Sequence, residues 1–170
     1  MELQGELVRL RSLTEADAGW VLAMLLESSV AQWWGESTAA TVDEDLIRCG
    51  DGEWLAIERD GETAGIVGFS EEADPIYRHA GIDISLRTGW QDRGLGTDSV
   101  RTLARWLIEE RGHHRITIDP AAANARAIAC YARVGFKPVG VLRQYERSAS
   151  GEFRDGLLMD MLAGELREAG

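Results

Sequence analysis

The sequence predicts a single α/β (α+β) domain, spanning residues 1–170, with a mixed sheet of about seven strands and about four helices. Short segments in which apolar and polar residues alternate are typical of strands, and segments with apolar residues three and four positions apart are typical of helices. Turns that contain glycine and aspartate separate these segments, and no repeat, linker or low-complexity stretch interrupts them. A length of 170 residues suits one domain with a real core.

Four strands and two helices are predicted in the first half of the chain. Thr14 is a good N-cap for the first helix, which loses its apolar pattern after Leu25. Thr41 and Glu44 form a capping box that predicts a short second helix up to about Cys49. The alternating segments predict strands over residues 7–13, 53–58, 63–70 and 80–86.

Two helices and three strands are predicted in the second half. Apolar residues recur at helical spacing between Val100 and Ile108, and Gly112 ends that helix. Gly135 ends the next helix in the same way. The helices are predicted over residues 97–111 and 125–134, and the strands over 115–119, 136–145 and 155–162.

The charge balance is strongly acidic and limits the kinds of partner. The chain has 18 Lys and Arg residues against 29 Asp and Glu residues, a net charge of −11 and a sequence pI near 4.7. Nucleic acids and anionic membranes need clustered positive charge, so neither is expected as the main partner. An acidic surface can attract a cationic small molecule, although it can also serve solubility alone.

Neither a metal site nor an export signal is expected. Cys49 and Cys130 lie far apart and match no metal or redox spacing, and the three histidines have no ligand spacing either. Charges interrupt the N-terminal residues where a signal peptide needs an apolar run, and no apolar stretch is long enough to span a membrane. We expect a cytoplasmic protein.

A glycine-bracketed turn precedes the helix predicted from residue 97. Gly94 and Gly96 let the backbone turn tightly, which exposes N–H groups at the start of a helix and creates an anion site. Arg93 can add a charge-assisted contact to a phosphate. The dinucleotide-binding pattern would need a third glycine where Ser99 stands, and no Walker-type lysine follows.

Residues 91–96 read Gln-x-x-Gly-x-Gly, and Asn124, Tyr131, Gly135 and Phe136 follow later in the chain. In both features the chain resembles the GCN5-related N-acetyltransferase (GNAT) superfamily, whose acetyl-CoA signature is Q/R-x-x-G-x-G/A and whose later pattern is an asparagine, a tyrosine and Gly-Phe. The resemblance covers most of the chain. It implies the GNAT fold, with a twisted and mostly antiparallel central sheet, acetyl-CoA as co-substrate and no metal.

The resemblance also implies roles for individual residues. Backbone amides from Arg93 to Thr97 would hold the pyrophosphate, the strand around Ile82 to Ile84 would pair with the pantetheine arm, and Asn124 would contact that arm. Tyr131 would protonate the departing thiolate, for which a phenol is a workable acid. The residues expected to bind acetyl-CoA are Ile82, Ile84, Gln91, Arg93, Gly94, Leu95, Gly96, Thr97, Asn124 and Ala127.

Four short segments resemble one GNAT subgroup, the aminoglycoside 6′-N-acetyltransferases. These segments are Trp33-Trp34-Gly35, Gly81-Ile82-Asp83, Asp119-Pro120 and Asp155-Gly156. By this resemblance Asp83 would help to deprotonate the amine, Asp119 and Asp155 would bind amines of the acceptor, and Trp33 or Trp34 would pack on a sugar ring. Convergent carboxylates with aromatic side chains suit a polycationic sugar. Acetylation of a 6′-amine, giving resistance, is the function that follows.

Other readings of the same residues stay open. Asp119 and Asp155 could be turn residues, Tyr131 a core aromatic, and the two tryptophans packing residues, although adjacent side chains cannot both face one core from a regular element. The arginine-rich 143–154 stretch resembles the late hairpin of ribosomal-protein or peptide N-terminal acetyltransferases. Acetylation of a protein N-terminus or another small amine, and non-catalytic acyl-CoA binding, are therefore alternatives. Either a monomer or a homodimer is expected.

Overall fold

One eight-stranded sheet organises the molecule, whose computed structural model describes residues 1–50, 52–148 and 150–168. The strand order is β1-β2-β3-β4-β5-β6-β8-β7, and every neighbouring pair is antiparallel except β5 and β6. The strands are β1 (Glu2–Gln4), β2 (Arg9–Ser12), β3 (Gly52–Arg59), β4 (Glu62–Glu72), β5 (His79–Leu86), β6 (Arg115–Ile118), β7 (Lys137–Arg147) and β8 (Phe153–Leu162).

Helices cover both faces of the sheet. They are α1 (Ala18–Leu25), α2 (Ser28–Trp34), α3 (Ala39–Thr41) with the π-helical turn Val42–Ile47 that continues it, α4 (Leu95–Glu109) and α5 (Ala125–Val134). Within the described residues, none of these helices is both long and apolar enough to cross a membrane.

The alternation of side chains along β4 shows how the two faces divide. Ile66 packs with α1 and the π-helical turn in one buried cluster, whereas Val67 faces the other cluster with α4 and α5. Successive residues of a strand point to opposite faces, so a strand that is buried on both sides is apolar throughout. The segment from Ala64 to Phe69 is buried accordingly.

The pairing between β5 and β6 is brief, and this shapes the functional part of the sheet. β5 pairs with β4 from His79 to Leu86, but its parallel pairing with β6 is limited to Ala80 with Ile116 and Gly81 with Thr117. Beyond these two pairs the strands separate, so the rest of β5 has a free edge on the β6 side in the described structure.

The predicted fold class is confirmed, with corrections to the number and ends of the elements. The sheet has eight strands rather than seven, because β1 is too short to show an alternating pattern. An additional helix, α2, was missed because its two serines interrupt the apolar spacing. Thr38, not Thr41, caps the next helix, and Thr41 supplies the return hydrogen bond. α4 begins two residues earlier than expected, at Leu95.

A buried carboxylate in the first turn of α4 fixes the start of the chain. Asp98 is 3% exposed and accepts the backbone N–H groups of Glu6, Leu7 and Val8 at 3.3, 2.7 and 3.1 Å. A side chain added at Gly5 would place its Cβ 2.5 Å from the Asp98 carboxylate. The carboxylate therefore anchors the turn between β1 and β2 to the first turn of α4.

We expect Asp98→Ala to lower the free energy of unfolding by about 2–3 kcal/mol, because three N–H groups lose a charged acceptor in a buried setting. Urea unfolding followed by circular dichroism measures this change. Glu109→Ala, an exposed change in the same helix, is the control and should fall within about 0.5 kcal/mol of the unaltered protein. Equal stability of the two variants would contradict the anchoring role.

Candidate active site

A cleft of about 470 Å³ opens where β5 and β6 separate. Its lining comes from five parts of the fold: one side of α2, the free half of β5, the glycine turn, the end of β6 with the segment that follows it, and α5. Glu146 of β7 completes the wall. The cleft therefore joins the predicted cofactor motif to residues that are far apart in the sequence.

The glycine turn presents backbone donors to this cleft. Gly94 has φ of 80° and caps α4, and the first N–H bonded inside the helix is that of Asp98, 3.1 Å from the Gly94 carbonyl. The N–H groups of Leu95, Gly96 and Thr97 precede that bond, and helix geometry gives them no partner within the helix. They provide an anion site reinforced by the helix dipole.

Side-chain hydrogen bonds hold the turn against its neighbours. Gln91 donates to the Leu86 carbonyl at 2.9 Å, which ties the turn to the end of β5. Arg126 of α5 donates to the Gln91 side-chain oxygen at 2.6 Å and lies 3.6 Å from the Asp92 carboxylate. Arg126, which sequence reasoning missed, therefore brings a positive charge to the mouth of the anion site.

The residues predicted to bind acetyl-CoA fall into three groups. Gln91, Gly94, Gly96, Thr97, Ile84, Asn124 and Ala127 line the cleft. Ile82 and Leu95 are buried in the core, so only their backbone groups are available to a ligand. The Arg93 guanidinium stacks 5.3 Å from the Trp90 ring centroid, and its side chain is outside the described cleft lining.

Helix α5 and its N-cap place an amide and a phenol on the cleft wall. The Asn124 side chain accepts the Ala127 N–H at 3.2 Å and so caps the helix. Tyr131, two turns later, is 7% exposed, and its ring packs edge-on against Phe136. Burial, together with the negative charges nearby, raises the pKa of Tyr131 far above its usual range. Its hydroxyl therefore keeps its proton at neutral pH.

Cys130 of α5 also lines the cleft. Its sulfur lies 3.3 Å from the Thr97 hydroxyl. Burial raises the pKa of the Cys130 thiol, although the Thr97 hydrogen bond opposes that effect. The thiol is accordingly protonated rather than a reactive thiolate.

Three carboxylates, Asp83, Asp119 and Glu146, converge on the other half of the cleft. Protein atoms surround much of the Asp83 side chain, but the side chain remains exposed to solvent on the cleft side. Burial among protein atoms, with smaller contributions from the negative charges of Asp119 and Glu146, raises the pKa of Asp83 to about 6. Like charges held this close resist ionising together, so this wall favours a cation.

The Tyr145 hydroxyl of β7 donates a hydrogen bond to Asp119 and affects its pKa. Burial raises the pKa of Asp119, whereas a hydrogen bond from the Tyr145 hydroxyl lowers it. The same hydrogen bond, to a negatively charged acceptor, raises the pKa of Tyr145 to about 12. Gly156 makes the arrangement possible, because a Cβ there would lie 2.9 Å from the Tyr145 ring.

Trp33 and Trp34 both line the cleft from the last turn of α2. Trp34 also packs edge-on against Trp54, with ring centroids 5.6 Å apart. Arg154 of β8 lies over the Trp33 ring, 5.6 Å from its centroid, and donates to the Trp33 carbonyl at 2.7 Å. The indole wall formed by Trp33 and Trp34 is thus tied to β8, the neighbour of β6.

Asp155 holds a bulge in β7 and is outside the described cleft lining. Its carboxylate accepts the Gln144 N–H at 2.8 Å, and Gln144 has φ of 48°. Between Leu142 and Glu146 the pairing with β8 shifts, since four steps along β7 face two along β8. The bulge turns Tyr145 and Glu146 toward the cleft. Asp155 therefore affects the site indirectly, through the backbone of β7. A direct contact with substrate stays a prediction.

Sequence reasoning missed Glu146 because no local pattern marks the bulge that aims its side chain. It missed the role of Arg154 because the partners of that side chain lie on other elements. The acidic loop that follows β4 lies at the end of β5 away from the cleft, where Arg78 donates to the Arg111 carbonyl just after α4. No group of three His, Cys, Asp or Glu residues in the described ranges could hold a metal ion.

Comparison with known proteins agrees with the fold and the cofactor motif. The model of the GNAT acetyltransferase family matches residues 21–136, so the chain belongs to that family. It is therefore an N-acetyltransferase that uses acetyl-CoA as co-substrate.

Two relatives carry more specific names. The chain is 32% identical to the aminoglycoside N(6′)-acetyltransferase type 1 of Klebsiella pneumoniae, across 79% of this chain and 76% of that protein. It is 41% identical to a kanamycin resistance protein of Rhizobium radiobacter, across 44% of this chain and 68% of that protein.

Solved structures share the fold closely. The aminoglycoside acetyltransferase AAC(6′)-Ib in complex with coenzyme A and kanamycin is 27% identical, with a TM-score of 0.75 across 90% of this chain and 93% of that chain. RimJ of Mycobacterium smegmatis in complex with CoA-disulfide is 22% identical, with a TM-score of 0.83 across 99% and 89% of the two chains. The latter likeness concerns the fold alone.

We expect Tyr145→Phe to raise the pKa of Asp119 further, because the hydrogen bond that favours its ionised form disappears while its burial remains. Titration of the aspartate ¹³Cγ signals by NMR measures the shift. Tyr77→Phe, in an exposed loop, is the control and should leave Asp119 unchanged. An unchanged or lower pKa in Tyr145→Phe would show that the phenol does not stabilise the carboxylate.

Proposed function

We propose that this enzyme transfers an acetyl group from acetyl-CoA to a primary amine of an aminoglycoside, the 6′-amine by analogy, and so confers resistance. The observation that carries the proposal is the convergence of three carboxylates and two indoles on the cleft that also holds the glycine turn. The 32% identity to an aminoglycoside N(6′)-acetyltransferase supports the choice of acceptor. We treat residues 1–170 as one domain, acting in the cytoplasm as a monomer or homodimer.

The cofactor half of the cleft fits acetyl-CoA. The free N–H groups of Leu95 to Thr97, with Arg126 beside them, would hold the pyrophosphate. The open edge of β5 at Ile82 to Ile84 offers backbone groups to an amide-containing pantetheine arm, as a strand edge does to a peptide. Asn124 and Ala127 would flank that arm. The bound thioester would supply an activated acetyl group.

The acceptor half suits a polycationic sugar. An aminoglycoside carries about three to five positive charges at neutral pH, and Asp83, Asp119 and Glu146 can meet several of them within one cleft. Trp33 and Trp34 offer flat apolar surfaces to the faces of a sugar ring. Together these contacts would select for both charge and ring shape.

Acetyl transfer requires that the acceptor amine lose a proton and that the departing sulfur gain one. The Asp83 carboxylate, with its pKa raised to about 6, is a better proton acceptor than an ordinary aspartate and would take the amine proton directly or through water. The Tyr131 hydroxyl keeps its proton and would donate it toward the departing sulfur. Backbone N–H groups on the β5 edge would stabilise the developing oxyanion.

A second acceptor, a protein N-terminus, is favoured by the arginine-rich hairpin of β7 and β8. However, Arg154 is engaged with Glu146 at 2.7 Å, and Arg147 with the Gly151 carbonyl at 3.1 Å. Both arginines thus have structural partners, and the surface inside the cleft is acidic. A polyamine would also suit an acidic cleft, but it has no sugar ring for Trp33 and Trp34 to pack against.

We expect aminoglycosides to accelerate release of the CoA thiol strongly, whereas spermidine and an alanine-initiated peptide should not. Initial rates with kanamycin, tobramycin, spermidine and the peptide, each at matched concentration, give the comparison. Mass spectrometry with NMR of the product identifies the amine that is acetylated. A rate increase with the peptide alone would overturn the aminoglycoside proposal while leaving the acetyltransferase assignment intact.

We expect kcat/KM for the aminoglycoside to fall as the pH drops below about 6, because a protonated Asp83 cannot accept the amine proton. Asp83→Asn should lower kcat/KM by about 100-fold and remove this acid limb. Initial rates across the acid and neutral range test both effects. If the limb persisted in Asp83→Asn, it would belong to another group, and Asp83 would lose the role of proton acceptor.

A further inference from the structure

We propose that Arg154 is a positioning residue for the acceptor half of the cleft, which sets the relative placement of Trp33 and Glu146. This inference rests on the proposed function, since it concerns the same acceptor. Arg154 is outside the described cleft lining, whereas both residues that it connects line the cleft. Its effect on the acceptor would therefore pass through those two side chains.

A single guanidinium makes all the connections. Its Nε donates to the Glu146 carboxylate at 2.7 Å, and its Nη2 donates to the Trp33 carbonyl at 2.7 Å. Its Nη1 donates to the Gln32 carbonyl, and its Cζ lies 5.6 Å from the centroid of the Trp33 ring. The Arg154 side chain is 20% exposed and that of Glu146 is 31% exposed. The cluster is shielded well enough to hold one arrangement.

The helix that carries the indole needs this support. α2 has only seven residues, and short helices are marginal without tertiary contacts. Its terminal carbonyls have no partners within the helix, and a cation at that end also complements the helix dipole. Gly35, with φ of 91°, ends the helix directly after Trp34. Arg154 thus connects the short helix α2 to the paired strands β7 and β8.

An electrostatic role and a positioning role of Arg154 predict opposite changes in the acceptor KM when Arg154 is removed. If Arg154 were only a positive charge near a cationic acceptor, its loss would favour binding and lower the acceptor KM, by less than about five-fold for a partly exposed charge. If it positions the site, its loss frees the indole and leaves Glu146 unrestrained, which raises the acceptor KM. A displacement of about 1 Å can lower a reaction rate by about two orders of magnitude. The loss of positioning should therefore outweigh the loss of the positive charge.

The test compares Arg154→Gln and Arg154→Lys with the unaltered enzyme. We expect both variants to raise the aminoglycoside KM about ten-fold, because lysine retains the charge but lacks the planar fork of donors. The KM for acetyl-CoA should change by less than about two-fold, since the cofactor half is untouched. Arg147→Gln, in the same hairpin, is the matched control and should alter neither constant.

A second measurement follows α2 itself and does not depend on turnover. Hydrogen exchange of the backbone amides from Val30 to Gly35 should speed up in both Arg154 variants, whereas exchange in α4 stays unchanged. An unaltered or lower acceptor KM together with unaltered exchange would overturn the positioning role. If the unaltered enzyme acetylated no aminoglycoside, the proposed function would fail. The exchange comparison would still decide whether Arg154 orders the indole wall at the end of α2.

Discussion

The separation of β5 from β6 after two parallel residue pairs is the constraint on which the rest of the site depends. A longer ladder would satisfy the backbone groups of β5 and close the space between the strands. Because the ladder ends at Gly81, a polar strand edge borders a cleft, and an unpaired edge is a ready template for another chain-like molecule. Asp83 on β5 and Asp119 after β6 face each other across the gap for the same reason.

The acceptor half stores unfavourable electrostatic energy that a cationic substrate can relieve. The pKa of Asp83, raised to about 6, lies above its ordinary value of 3.8, so the protonated form is favoured by folding. That contribution to stability is fully present below about pH 4 and is lost as the pH rises through about 6. At neutral pH the charged carboxylate therefore weakens the fold, in keeping with the strain that functional sites often retain.

Local patterns predicted most of the residues that line the glycine-turn half of the cleft, whereas they predicted the carboxylate half only in part. The binding roles of these residues stay predictions. The turn with Gly94 and Gly96, and the spacing from Asn124 to Tyr131, lie within single elements, so sequence alone places them together. Glu146 reaches the cleft only because Gln144 adopts a positive φ within a bulge, and that bulge depends on Asp155 of the neighbouring strand. Such cross-strand geometry leaves no periodic signal. The same bulge gives Asp155 a partner that sequence reasoning could not have assigned.

The Leu95–Thr97 donors and the β5 edge consist of main-chain atoms, whereas the acceptor wall consists of side chains from separate elements. Mutation replaces side chains but leaves N–H groups in place, so the proposed binding of acetyl-CoA by these donors would tolerate most substitutions. Under the proposed roles, changes at Trp33, Glu146 or Arg154 would alter the amine that is bound while the transfer chemistry persists. A lineage carrying this fold would then explore new acceptors in small steps, and a shift in drug spectrum would require no new catalyst.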